Sequence, residues 1–310
     1  MSAASASAST AARTSFAAPA GALVINAFVW GTSWWPFRQL EARGLHPLWA
    51  TVMIYAAAAL FILALRPRAL GQLLRAPVLW VLVIASGTTN AAFNWAVTIG
   101  DVLRVVLLFY LMPLWAVLLA RVLLREPLTR SAAARVALAL AGAAVVLWPA
   151  GRSGWEALPL PLPRTLPDWL GVLGGFTFAL NNVMLRREAG RPEEARALAM
   201  FVGGMLVAGT LALALRSGGW VPALPAPGAV WMAGVAALAL LFLGGNLALQ
   251  YGAARLPANV TSVVMLTEIL FASVSALALG GGRLDAQLVA GGVLILAAAL
   301  LSTFSGADAH

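Results

Sequence analysis

Ten runs of apolar residues fill this 310-residue chain almost from end to end. Each is close to the length needed to cross a bilayer core roughly 30 Å thick. They fall near 20–40, 46–66, 77–99, 102–124, 131–149, 168–188, 194–216, 228–252, 258–280 and 284–304. Turn-forming residues separate them, at Gly44 to Pro47, Arg66-Pro67-Arg68, Gly100-Asp101, Arg125-Glu126-Pro127, Gly190-Arg191-Pro192 and Gly280 to Arg283. A soluble globule is excluded, because 62% of the residues are apolar and only 10% are charged. So few charges cannot cover a surface while that much Leu, Ala and Val is hidden. The expected fold is an all-α membrane protein with ten transmembrane helices.

The net charge of +9 does not indicate a nucleic-acid partner. All 20 basic residues are Arg, and they occur singly or in small groups between apolar runs. That is a topology signal rather than a phosphate-binding stripe. Counted by side, thirteen Arg fall on the N-tail, loops 2–3, 4–5, 6–7 and 8–9 and the C-tail, against seven on the other loops. The positive-inside rule then places both termini in the cytoplasm of a multi-pass protein of the inner (plasma) membrane. There is no Cys, and His46 and His310 are the only histidines, so thiolate and multi-His metal sites are excluded. No Walker-type phosphate loop occurs. No cofactor and no metal are expected.

The expected organisation is a flexible cytoplasmic tail at 1–19, a first five-helix repeat at 20–149, a Pro-rich linker at 150–167, a second five-helix repeat at 168–304 and a cytoplasmic tail at 305–310. The linker cannot be a span, because it carries Pro159, Pro161, Pro163 and Pro167. Sliding the chain on itself by 156 residues brings Asn90 onto Asn246, Asn94 onto Gln250, Trp95 onto Tyr251 and Leu114 onto Leu270. Five is an odd number of spans, so the second half must enter the membrane from the opposite side. The halves are expected to be inverted repeats, an arrangement that places a substrate site near the midplane between them.

The polar residues inside spans are candidates for such a site. Asn90 and Asn94 are four apart and share a helix face, as do Asn246 and Gln250; Asn181 and Asn182 lie in the middle of span 6. Amides donate and accept, which suits a zwitterion, although interhelical hydrogen bonding is a competing role. Glu268 lies near the middle of span 9, where an acid is costly and tends to mark a pathway. It could bind a proton or a substrate ammonium, or bond a neighbouring span. Trp30 and Trp34, with Ser33 between them and Tyr110 and Trp115 in span 4, form an aromatic set that could wall a mixed apolar and polar pocket or simply pack. Arg104, near Asp101, reads as an interfacial anchor or as a cavity-facing partner for a carboxylate. Gly171 and Gly175 form a GxxxG spacing for close helix approach, and Pro113 permits a kink.

Several stretches resemble the drug/metabolite transporter superfamily, specifically its EamA-like ten-helix members. Phe28-Val29-Trp30-Gly31-Thr32-Ser33 is similar to the family's Trp-Gly-Ser/Thr stretch. Tyr110-Leu111-Met112-Pro113-Leu114-Trp115, continued to Leu123-Leu124-Arg125-Glu126, is similar to its Pro-bearing span 4 and the Arg-Glu that follows. Leu266-Thr267-Glu268-Ile269 is similar to its Leu-Glu-Pro, with Ile269 in place of Pro. The resemblance implies a transporter, with amino-acid exporters as the nearest analogy.

The leading expectation is a secondary transporter working by alternating access, without enzymatic activity, exporting apolar or aromatic amino acids. Its expected partners are a small zwitterionic or neutral metabolite, the lipid bilayer and a proton as candidate coupling ion, with the protein a monomer or weak dimer. A channel, and an intramembrane transferase acting on lipid-linked substrates, stand as alternatives.

Overall fold

The computed structural model describes residues 3–125, 130–148, 162–253, 255, 264–265 and 267–305. It is all-helical, with 81% helix and no strand among the described residues. Glu126, most of the expected linker and residues 258–263 of the ninth run lie outside the described residues.

α1 (Ala3–Thr32) starts ahead of the first run and continues into it, and α2 (Trp34–Glu41) takes up the rest of that run. The break has a covalent cause: Pro36 has no N–H to give the carbonyl of Thr32, the last residue of α1. Pro113 does the same to Phe109, so the fourth run divides into α6 (Val102–Phe109) and α7 (Met112–Leu119), followed by a π-helical turn at Ala120–Leu124. Between them lie α3 (Pro47–Leu65), the short α4 (Arg68–Leu74) and α5 (Leu79–Ile99). The later helices are α8 (Arg130–Leu147), α9 (Leu166–Arg187), α10 (Glu193–Ser217), α11 (Ala229–Ala253), α12 (Thr267–Ala278) and α13 (Ala286–Ser305).

Local sequence sets the ends. His46 Nδ1 accepts from Leu48 N at 3.2 Å ahead of Pro47, Asp101 accepts from Arg104 N at 3.0 Å, and Thr165 and Asp168 form a capping box on α9. Gly44 (φ 84°) and Gly280 (φ 71°) make the left-handed turns after α2 and α12.

Four helical stretches are long and apolar enough to cross a membrane by length and composition: Pro47–Leu65, Val102–Leu123, Glu193–Ser217 and Ala229–Leu249. A fifth is reached when α4 and α5, bent by 103°, count as one span. Apolar side chains on their outer faces, such as Leu60, Ile84, Val122 and Leu240, are exposed, as a lipid-facing belt requires.

The most extensive helix contacts join the first half to the second: α5 with α9 and α10, α3 with α10, α8 with α13, and α1 with α11 and α12. Exchanging each run for the one five places later carries each of these pairs onto a pair that is also in contact. The α5–α9 pair maps onto α11–α1, α6–α9 onto α12–α1, and α8–α13 onto itself. At the α8–α13 contact a Cβ on Gly142 would lie 2.8 Å from the Gly291 carbonyl oxygen, and a Cβ on Gly291 would lie 2.8 Å from that of Gly142. Only glycine lets the two backbones come so close. The expected role of the GxxxG pair also appears: Gly171 and Gly175 face the carbonyl oxygens of Val105 and Phe109 on α6.

Candidate functional site

Between the halves lies a cavity with about 810 Å³ of empty space, adjoining open solvent included. Helices of both halves wall it. Its apolar wall holds two aromatic clusters: Trp30 of α1 stacks on Phe242 of α11 at 4.7 Å and Tyr55 of α3 packs edge-on to Phe242 at 6.0 Å, while Phe109 of α6 lies 4.9 Å from Phe93 and 5.2 Å from Phe178. Aromatic pairs at these separations are mutually stabilising and rigid.

The polar lining comes from Asn26, Ser86, Thr89, Asn90, Asn181, Asn246 and Glu268. Asn90 is fixed on both sides: its Oδ1 accepts from the Tyr55 hydroxyl, and its Nδ2 donates to the Ser86 carbonyl at 2.8 Å. The Thr89 hydroxyl donates to Thr177 Oγ1 at 2.9 Å and so ties α5 to α9. Asn26 Nδ2 donates weakly to Met265 Sδ at 3.6 Å, while the Oδ1 atoms of Asn26 and Asn181 are buried with no hydrogen-bond partner. Buried acceptors left unmatched are costly, and these two line the cavity, whereas the equally unmatched Asn94 Oδ1 and Gln72 Oε1 do not. The Tyr110 hydroxyl donates to Glu268 Oε2 at 3.4 Å. Glu268 is the one carboxylate among the described lining residues, and no described Arg lines this cavity.

Of the residues expected from the sequence, Trp30, Asn90, Asn181, Asn246 and Glu268 meet at this cavity, with Tyr110 bonded to Glu268. Others lie elsewhere. Ser33 donates to the Trp30 carbonyl at 2.9 Å and satisfies the break between α1 and α2. Trp34 is buried and donates to Ser275 Oγ at 2.9 Å, joining α2 to α12. Asn182 is exposed, one residue around the helix from Asn181. The side chain of Gln250 lies outside the described residues.

Asn94 is fully buried and donates to Thr51 Oγ1 at 3.1 Å, between α5 and α3. Asn94→Ala is therefore expected to lower stability in detergent by about 1 kcal/mol while leaving transport per folded molecule unchanged. Unchanged unfolding with lost uptake would return Asn94 to the cavity.

The two ends of the molecule differ. At one, polar bonds join the halves. Arg104 makes a bidentate pair with Asp168 (2.7 and 3.1 Å) and also donates to the Val146 carbonyl at 2.9 Å. Val102 N donates to the Gly281 carbonyl at 3.0 Å, and Gln287 Nε2 donates to the Val145 and Trp148 carbonyls. At the other end a wider cavity, with about 1420 Å³ of empty space, opens between α3, α10 and α11, and it shares Phe201 and Asn246 with the central one.

Sequence reasoning missed Asn26, Tyr55 and the phenylalanines. A polar Asn inside span 1 was a usable signal. The aromatics carried none, since an apolar residue is ordinary at every position of a span.

Residues 18–148 match the model of the EamA-like transporter family. A solved crystal structure of a protein 19% identical in sequence superposes with a TM-score of 0.56, covering 93% of this chain and 97% of that chain. At that identity the likeness is one of fold, and it extends through the second half. No curated protein sequence matches the chain.

Proposed function

Because residues 18–148 belong to the EamA-like transporter family, whose members are membrane transporters of small solutes, we propose that this multi-pass membrane protein exports apolar or aromatic amino acids by alternating access. It acts as a secondary carrier with ten spans in two inverted five-helix repeats. It sits in the inner membrane with both termini cytoplasmic, as the Arg count favours. The exchange symmetry of the helix partners supports the repeat.

One observation carries the substrate reading: a cavity between the halves with an aromatic wall, several amides and one carboxylate, and no guanidinium among its described lining residues. Phosphorylated solutes call for several Arg or Lys groups, and polycations for more than one acid. A zwitterion with an apolar side chain matches the lining: ring surface for the side chain, Asn donors for the carboxylate, and the unmatched Asn26 and Asn181 oxygens for the ammonium. The bonds that join the halves at one end favour a carrier over a continuous pore.

Counterflow in proteoliposomes tests this. Excess Phe, Leu or Met is expected to suppress exchange of a labelled amino acid, and a sugar phosphate is not. Inhibition by the sugar phosphate alone overturns the substrate class, and unsaturable flux overturns the carrier.

A further inference from the structure

We propose that the wider outer cavity is a second binding station, which receives a zwitterionic solute before it reaches the central cavity. The inference rests on the reading of the central cavity given above. The two cavities share Phe201 and Asn246 as a common wall, so the outer one lies directly beside the inner. Its rim carries both signs of charge from three helix ends: Arg66 at the C-terminus of α3, Glu193 and Glu194 at the N-terminus of α10, and Arg255 just beyond α11. Its inner surface is apolar, with Phe61, Leu243 and Leu247 among the residues that form it.

Two of the charged groups are held in place by uncharged partners. The Arg255 guanidinium lies 3.9 Å over the Tyr251 ring and donates through Nη1 to the Tyr251 carbonyl at 3.1 Å. That arrangement pins the fork on one side and leaves its other N–H groups to a carboxylate. Glu194 Oε1 accepts from Gln72 Nε2 at 3.2 Å, which fixes its carboxylate beside Glu193. Among the described residues, no carboxylate comes within ion-pair distance of Arg66 or Arg255. Glutamates in the first turn of α10 and arginines at the C-terminal ends of α3 and α11 also favour the dipoles of their own helices, and the packing of these three helix ends brings both signs of charge to one cavity. Paired cations and anions above an apolar floor match the carboxylate, ammonium and side chain of an apolar amino acid. The rim belongs to loops 2–3, 6–7 and 8–9, the face that the Arg count assigns to the cytoplasm, so loading there serves export.

The test uses the full chain in phosphatidylcholine vesicles, with and without phosphatidylethanolamine, whose headgroup has the same zwitterionic chemistry. R66Q/R255Q and E193Q/E194Q are each expected to raise the KM for labelled leucine about fivefold with Vmax changed less than about twofold, the pattern of lost capture rather than lost translocation. Inhibition by leucinamide, which lacks the carboxylate, should be unaffected by R66Q/R255Q. Inhibition by N-acetyl-leucine, which lacks the ammonium, should be unaffected by E193Q/E194Q. Unchanged KM values overturn the proposal, as does an equal loss of both analogues or a KM that follows phosphatidylethanolamine content instead of the substitutions. Equilibrium binding of leucine to the purified protein separates the two readings. Wild-type protein that binds and moves leucine while the rim variants match it removes the outer station alone. Wild-type protein that neither binds nor moves it removes the amino-acid reading as well.

Discussion

Replacing Asp168 with Ala is expected to destabilise the detergent-purified protein by about 3 kcal/mol, the lower end of the cost of breaking a buried ion pair by removing one partner. The lower end applies because the two sides differ: the Asp168 side chain is 2% exposed, but that of Arg104 is 32% exposed and keeps some water. Asp168 also does a second job. Its Oδ2 accepts from the backbone N–H groups of Arg164 (3.2 Å) and Thr165 (3.4 Å), closing the capping box at the start of α9. Asp168→Ala thus strands a guanidinium and uncaps a helix together. Asp168→Asn, which keeps an acceptor for the cap, should lose visibly less. Thermal and denaturant unfolding measure both. A wild-type melting curve for Asp168→Ala would mean that the pair does not hold the two halves at this end. Under the alternating-access proposal these contacts part in every cycle, so the same variant is also expected to shift the protein toward opening here. The chain has no native cysteine, so single cysteines placed near this end would report it by their labelling rates.

The pair shows where sequence reading stops. Arg104 was legible as a residue at a span end, but its partner lies 64 positions away. The available signal was topological: an Arg in the first turn of span 4 and an Asp in the first turn of span 6 belong to the same membrane face. The helical segments were legible because their cause is local, in apolar runs bounded by Gly, Pro and capping residues. The site was legible only in part, because helix phase decides which side chain faces inward. Asn181 and Asn182 differ by about 100° around their helix, so one lines the cavity and the other is exposed. Trp30 and Trp34 share a face only on an unbroken helix, and Pro36 breaks it between them. Asn90 and Asn94 keep their shared face, but one turn along α5 the neighbour has changed from the cavity to Thr51.

Glu268→Gln is expected to abolish accumulation driven by an imposed pH gradient while sparing amino-acid exchange. The carboxylate stands where such a role requires. It faces the central cavity from the first turn of α12, and the Tyr110 hydroxyl holds it from behind. Its depth is set by backbone contact: a Cβ on Gly31 would lie 2.6 Å from the Glu268 carbonyl oxygen, so α1 and α12 meet at this residue. A group that takes up one proton per cycle can sustain a solute gradient of about tenfold for each pH unit, because tenfold in concentration and one unit of pH carry the same 1.4 kcal/mol. Gln keeps the size and a hydrogen-bond acceptor for Tyr110 but cannot exchange that proton, so the accumulation ratio should fall to one while counterflow continues. Tyr110→Phe removes the donor and leaves the acid, and should weaken accumulation without abolishing it. Two other outcomes carry different meanings. If Glu268→Gln loses exchange together with accumulation, the carboxylate is a direct partner of the substrate ammonium. If it accumulates amino acid as well as wild type across a pH series, Glu268 neither couples nor binds, and the contact with Tyr110 is left as packing between α6 and α12.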